Sequence, residues 1–224
     1  MHIDDINATR ERYSNRFAKY GAVPKALGYD KGKQDIRFDI LTSQYDFNNK
    51  SVLDIGCGFG DLLSTLNAKA SYFEYTGIDL VEDLVSYARK VHPEHTFIVD
   101  DFIDHVFESE FDYCIATSIF NHKLIRQDSY DLIYSTMKKA YQIARDGFAF
   151  DFLSDKVDYR HEHTFHSSPS KILEFAYSLS RNVVLRNDYM PFEFSIFVFK
   201  DDSFSVEDTL FSRYKSKGVD YASR

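Results

Sequence analysis

Tryptophan is absent from the 224 residues, and cysteine (2), methionine (3), proline (4) and glycine (9) are scarce. Two thiols, Cys57 in a glycine-rich stretch and Cys114 inside an apolar run, give neither a disulfide framework nor a zinc spacing, and they suit a reducing, cytoplasmic compartment. With so little Pro and Gly there is no Pro/Gly/Ser linker, and no internal repeat or low-complexity segment appears, so one principal domain with appendages is expected. Nowhere do about 18 apolar residues run together, and the opening MHIDDINATRERYSNRF lacks the apolar centre of a signal peptide, so neither a membrane span nor export is expected. Positive charge is also in deficit. Against 35 Asp and Glu stand 27 Lys and Arg, a net charge of −8, the wrong sign for a surface that neutralises phosphates, and nucleic acid is not an expected partner.

What the chain does have is 44% apolar and 17% aromatic residues, the latter 21 Phe and 16 Tyr, enough for a ring-rich core. Residues 1–49 read as a helical preface: Ile6, Tyr13, Phe17 and Tyr20 recur at helical spacing up to Gly21, and Ile36, Phe38, Ile40 and Leu41 form a second pattern. From residue 50, short runs rich in Val, Ile, Phe and Tyr at 51–55, 75–78, 96–99, 111–117 and 147–153 alternate with amphipathic stretches, the clearest through Tyr130, Ile133, Met137, Tyr141 and Ala144. Such alternation predicts an α/β fold: a mostly parallel, doubly wound sheet between two layers of helices. Ser168-Pro169 opens a last helix, with Ser at the cap and Pro at the first turn. The runs 182–185 and 192–199 are too close for a helical crossover and should pair antiparallel. The domain is expected over 50–200, with a tail at 201–224 whose role is open.

The most informative segment is Asp54-Ile55-Gly56-Cys57-Gly58-Phe59-Gly60-Asp61, a strand running through three alternating glycines into a helix. Glycines at a strand's carboxyl end let backbone N–H groups approach a ligand. A dinucleotide turn, G-x-G-x-x-G, requires a small residue where Asp61 stands, and Asp61 would repel a pyrophosphate at the helix N-terminus. The pattern therefore suits a cationic ligand without phosphate, with Asp54 near its positive group.

This segment resembles the first motif of the class I S-adenosylmethionine-dependent methyltransferases, and the later motifs arrive in step over about residues 50–200. The resemblance implies a Rossmann-like seven-stranded sheet of order 3-2-1-4-5-7-6 with one antiparallel strand. It implies that Asp54, Gly56, Cys57, Gly58, Phe59 and Gly60 surround S-adenosylmethionine, which leaves as S-adenosylhomocysteine. About 25 residues beyond Asp54, Asp79 with Leu80 ends the second strand and would accept both ribose hydroxyls. About 22 residues further, Asp101, or Asp100 in its place, would receive the adenine amino group, with Phe102 beside the ring. The strand ending at Thr117 would close under the methionine part.

Chemistry on the acceptor side is less determined. The N/D-P-P-Y/F motif for planar amines is absent after the fourth strand, where Thr117-Ser118-Ile119-Phe120-Asn121-His122 stands, and neither cysteine follows a proline as a pyrimidine-C5 nucleophile would. A hydroxyl acceptor needs a general base, for which His122 and, in the loop 158–166, His163 or His166 are the candidates. A metal site is not expected, since Mg²⁺ prefers carboxylates and no second acid cluster accompanies these imidazoles. Tyr13, Arg16, Tyr20, Gln34 and Arg37 of the preface are candidate cap contacts, and the hairpin 189–194 is strand-end packing first and substrate wall second. A fainter similarity to bacterial methyltransferases of capsule and O-antigen sugars points to a small-molecule acceptor, a sugar or nucleotide-sugar, in a protein able to form a homo-oligomer. Three rivals stay open: a small-molecule N-methyltransferase, an NAD-dependent oxidoreductase built on Asp79 and the Tyr134-x-x-x-Lys138 pair, and a cofactor-binding subunit without catalysis.

Overall fold

A computed structural model describes residues 1–29, 33–204 and 209–215. Two helices come first, α1 (Ile3–Tyr20) and, after a 3-10 turn at Pro24–Leu27, α2 (Gln34–Thr42). The sheet and its helices follow: β1 (Lys50–Ile55), α3 (Leu62–Lys69), β2 (Phe73–Asp79), α4 (Glu82–Val91), β3 (Thr96–Val99) and β4 (Phe111–Ala116). After these come α5 (Ser129–Ile143), β5 (Ala144–Leu153), α6 (Pro169–Leu179), β6 (Val183–Arg186), β7 (Glu193–Phe199) and the single turn α7 (Ser212–Lys215). The expected tail holds α7, while 205–208 and 216–224 lie outside the described residues.

The seven strands run in the order β3-β2-β1-β4-β5-β7-β6. Pairing is parallel from β3 to β5, and β7 is antiparallel to both β5 and β6, as the short link between the last two runs required. Strand side chains alternate between faces, so each strand feeds two cores. Leu53, Cys114, Phe148, Phe150 and Ile196 lie on the face covered by Ile133 and Met137 of α5 and Ile172 of α6. Val52, Ile115, Ala149 and Phe197 lie on the other, with Leu63 and Leu66 of α3, Val85 of α4 and Phe38 and Leu41 of α2.

Local chemistry sets the helix starts. Asp128 caps α5, its Oδ1 accepting the Tyr130 N–H at 2.7 Å. At α6 the expected cap is only partly realised: Pro169 holds the first turn, but the Ser168 hydroxyl pairs with Ser170 Oγ at 2.9 Å and makes no bond to the helix backbone. β5 begins at Ala144, three residues before the predicted run, because α5 passes into the strand with no loop between them.

The first helix serves the strand ends. Asp5, buried on α1, accepts the backbone N–H groups of Ile125 (2.6 Å), Arg126 (3.2 Å) and Gln127 (3.0 Å) beyond β4. Burial alone would raise its pKa, yet these donors hold it below the usual value. On the other side Arg10 Nε donates to the Leu80 carbonyl at 3.0 Å, past the end of β2. A third apolar cluster of Ala26, Phe59, Val81 and Leu84 seats Tyr13 and Phe17 of this helix.

Candidate cofactor and acceptor site

Along the carboxyl ends of β1, β2, β3 and β4 runs a cleft, open to solvent, with Thr9 and Tyr13 of α1 on its rim. Its floor is the glycine turn. The N–H groups of Gly56 and Cys57 both donate to the Ile78 carbonyl, at 2.8 and 3.2 Å, which fixes the turn to β2. Gly56 has φ +74°, and a Cβ there would sit 2.3 Å from Ile119 Cγ2, so this position has neither the conformation nor the space for a side chain.

Asp79 closes the next wall. Its Oδ2 accepts the Gly58 N–H at 2.9 Å and its Oδ1 the Val81 N–H at 2.9 Å. Burial raises its pKa while these backbone donors and that of Leu80 lower it, and the carboxylate keeps a lone pair for a further donor such as a hydroxyl. Asp54, 4% exposed, accepts the Tyr75 hydroxyl at 2.7 Å. Desolvation, offset by that bond and reinforced by Asp79 and Asp61, pushes its pKa to about 7. Asp101 takes the Met1 ammonium at 2.6 Å and the Ile103 N–H at 2.9 Å. The neighbouring Asp100 pairs with His105 Nδ1 at 2.9 Å, a bond that holds its carboxyl below the usual range.

The cleft thus carries Asp54, Asp79, Asp100 and Asp101, and among the described residues no Lys or Arg lines it. The one ammonium at the cleft, that of Met1, is held by Asp101, so a pyrophosphate would find no free counter-charge, whereas a sulfonium nucleoside meets several carboxyl groups. On the floor, Thr117 Oγ1 is buried without a hydrogen-bond partner, a polar atom waiting for a ligand group.

Comparison with known proteins agrees with this chemistry. A methyltransferase domain family matches residues 52–147. A Mycobacterium tuberculosis protein named "Putative methyltransferase Rv1506c" is 30% identical over 155 residues, spanning 67% of this chain and 93% of that one. The chain belongs to the class I S-adenosylmethionine-dependent methyltransferases. Among solved structures, the magnesium protoporphyrin IX methyltransferase of Synechocystis PCC 6803 with bound SAH shares the fold at TM-score 0.65 and 14% identity, covering 87% of this chain and 99% of that one. An S-adenosylmethionine-dependent methyltransferase of Clostridium acetobutylicum follows at TM-score 0.59 and 15% identity, covering 83% and 98%. Over 87 residues the chain is also 31% identical to the ubiquinone biosynthesis O-methyltransferase of Hydrogenovibrio crunogenus, which is 39% of this chain and 32% of that protein.

As a methyltransferase, the chain uses S-adenosylmethionine, which supplies a methyl group on a positively charged sulfur. Of the residues chosen from sequence for that cofactor, all but two line the cleft: Phe59 and Gly60 do not. Phe59 turns away to pack on Phe17 and Tyr87 at ring separations of 5.4 and 5.3 Å, and so seats α1 against the turn. Gly60 backs onto His92 and Phe97. Asp61 stays at the head of α3, where its Oδ2 accepts from Gln34 Nε2 at 3.0 Å. The oxidoreductase pair lies elsewhere, Tyr134 stacked on Phe175 at 4.2 Å and Lys138 exposed on the outer face of α5, so that rival is set aside.

The histidines separate into two kinds. His122 lines the cleft, half-buried, with Nδ1 buried and unpartnered. Desolvation first, then the charges of Arg12, His163 and Arg16, lowers its pKa to about 4 against one supporting bond from His163, so its imidazole is neutral at neutral pH. His163 and His166 stand outside the cleft lining, in the loop after β5. That loop is tied to the end of β4 by the Lys123 N–H to the His163 carbonyl at 3.1 Å and the Phe165 N–H to the Asn121 carbonyl at 3.1 Å. The His163 ring stacks on His122 at 6.1 Å, while both His166 nitrogens are engaged, Nδ1 by the Ser154 carbonyl at 2.7 Å and Nε2 by Thr164 Oγ1 at 3.0 Å. Among the described residues no group of three or more His, Cys, Asp or Glu could hold a metal ion.

Of the cap candidates, Tyr13 and Gln34 reach the cleft, Arg16 Nε donates to the Ala26 carbonyl at 3.1 Å, and Tyr20 lies under Lys19 and Lys25. Arg37 instead grips Glu193 of the hairpin. Sequence reasoning missed Tyr29 and Ser118, which line the cleft, and Asp151 behind them. Asp151 had one legible sign, a lone acid in the Phe-rich run Phe150-Asp151-Phe152 of a buried strand.

Proposed function

We propose that this methyltransferase transfers its methyl group to a hydroxyl of a small polar molecule, with a sugar as the acceptor class. The observation that carries the reading is His122: a neutral imidazole at the cleft with an unpartnered buried Nδ1 is built to accept a hydrogen bond from a hydroxyl of a polyol acceptor, one beside the oxygen that is methylated, and so to hold that oxygen in place. Holding the acceptor oxygen in line with the departing group is most of what this reaction asks of a protein. An ammonium acceptor would gain nothing from an imidazole flanked by Arg12 and Arg16. Similarity over 87 residues to an O-methyltransferase supports the same class.

The test is release of S-adenosylhomocysteine from purified protein supplied in turn with UDP-glucose, methyl glucoside, catechol and primary amines. Turnover with one of the hydroxyl compounds is expected, and His122→Ala should lower kcat/KM by about 10²-fold or more. Turnover with amines alone would overturn the reading, and no turnover with any acceptor while the cofactor binds would favour a non-catalytic subunit.

A further inference from the structure

We propose that Asp151 is the sink for the acceptor's proton, reached from the cleft through the Ser118 hydroxyl. The inference rests on the hydroxyl-acceptor reading above and adds a group that reading does not use.

Asp151 sits on β5 and is 1% exposed. Its Oδ1 accepts the Ser118 N–H, and its Oδ2 accepts the Ser118 hydroxyl at 3.3 Å. Ser118 follows β4 directly, lines the cleft and is held at φ +60°, an uncommon conformation for a residue with a side chain, by these two bonds to Asp151. The Tyr29 side chain also lines the cleft beside it. The Ser118 hydroxyl therefore joins the cleft to one buried carboxyl.

Charges packed around that carboxyl prepare it to exchange a proton. From α2, Arg37 donates with Nε and Nη2 to the two oxygens of Glu193 on β7, and its Nε lies 3.7 Å from Asp151 Oδ2. One guanidinium thus faces two carboxylates, and Glu193 takes it with both oxygens. Tyr29, and Tyr189 bonded to Ser195 Oγ at 2.7 Å, complete the surroundings, and burial raises the pKa of both phenols. Desolvation, then Glu193, raise Asp151 to about 7 against the opposing pull of Arg37 and the Ser118 bonds. A group of that affinity accepts a proton at neutral pH and releases it between turnovers, which His122 does poorly.

The step balances as follows. The acceptor O–H bond breaks and its proton goes to Ser118 Oγ, while the proton on Ser118 moves to the Asp151 carboxylate. The electron pair left on the acceptor oxygen becomes the new O–CH₃ bond as the bond between the methyl carbon and the sulfonium sulfur breaks, its electron pair staying on sulfur in the neutral thioether S-adenosylhomocysteine. Asp151 then returns the proton to water by the same route.

Minimal acceptors make the test independent of the natural one: methanol as a hydroxyl and methylamine as an amine, each with S-adenosylmethionine, with S-adenosylhomocysteine release followed across pH. With methanol, wild-type kcat is expected to fall as pH drops through about 7, and Asp151→Asn to lower kcat by about 10²-fold or more and abolish that limb. Ser118→Ala, which leaves no buried charge in question if the first variant misfolds, should do the same, and the double variant should be no worse than either single one. Both should keep the thermal stabilisation given by S-adenosylhomocysteine. Wild-type rate and limb retained in either variant would overturn the role of Asp151, whereas turnover of methylamine and not methanol by the wild type would instead overturn the hydroxyl reading. Without any acceptor, the ¹³C carboxyl resonance of Asp151 should titrate near neutrality with S-adenosylhomocysteine bound. A carboxyl ionised throughout down to about pH 5 would refute the sink.

Discussion

Placing a methyl group on Gly56 tests the floor of the cleft in two separable ways. The backbone there stands at φ +74°, in the left-handed region, where a side chain costs about 1–2 kcal/mol. Relaxation is blocked because the N–H groups of Gly56 and Cys57 are both fixed on the Ile78 carbonyl. At roughly 2–4 °C per kcal/mol for a chain of this size, Gly56→Ala should lower Tm by about 2–8 °C. The second effect is steric. The added Cβ would lie 2.3 Å from Ile119 Cγ2, a β-branched atom with little freedom, so Ile119 must swing into the cleft it lines. Affinity for S-adenosylhomocysteine, read by calorimetry, should fall by about tenfold or more, the equivalent of at least 1.4 kcal/mol. In Gly56→Ala/Ile119→Ala the clash is gone and the dihedral cost remains, so affinity should recover relative to Gly56→Ala alone while this backbone penalty persists. A single variant with native Tm and native affinity would refute both the conformation and the contact assigned to this turn.

The wall opposite gives a second prediction: S-adenosylhomocysteine at about a hundred times its Kd should stabilise the protein by about 2.7 kcal/mol and NAD should not, and Asp79→Ala should abolish most of that shift. An undiminished melting response in the variant would place the ribose elsewhere. Asp54 predicts a pH effect of definite sign. Its folded pKa is raised to about 7 from 3.8, so its contribution is complete below about pH 4 and is lost as pH rises through 7. Asp54→Asn should therefore flatten the decline in Tm between about pH 4 and 7, and an equally steep decline in the variant would show that Asp54 is ionised in the folded protein throughout.

The sheet and the cofactor half were legible because their signals are local. Alternating apolar runs and helical stretches predicted the mostly parallel sheet, the family resemblance implied its strand order, and Asp54, Asp79 and Asp101 stand at or just beyond strand ends at similar intervals. The antiparallel end of the sheet followed from a short link alone. Phe59 shows the limit of a local pattern: it lies between two turn glycines as a ligand contact would, but the backbone there points it at Phe17, a residue 42 positions earlier whose docking no spacing reveals. The acceptor half was illegible for the same reason. Ser118 meets Asp151 across 33 residues and Arg37 meets Glu193 across 156, and such pairs exist only once β4, β5 and β7 lie side by side. His166 looked like a free base because its two occupants, the Ser154 carbonyl and Thr164, are supplied by a loop path that residue types do not encode.

The three backbone donors gathered by Asp5 come from positions 120 to 122 residues further along the chain. During synthesis at about 5–20 residues per second, the first helix must stay undocked for roughly 6–24 s after it leaves the ribosome. Through that interval the Asp5 carboxylate is without its three donors, and one wall of the reaction chamber is set in place by a segment made well before the loop that anchors it.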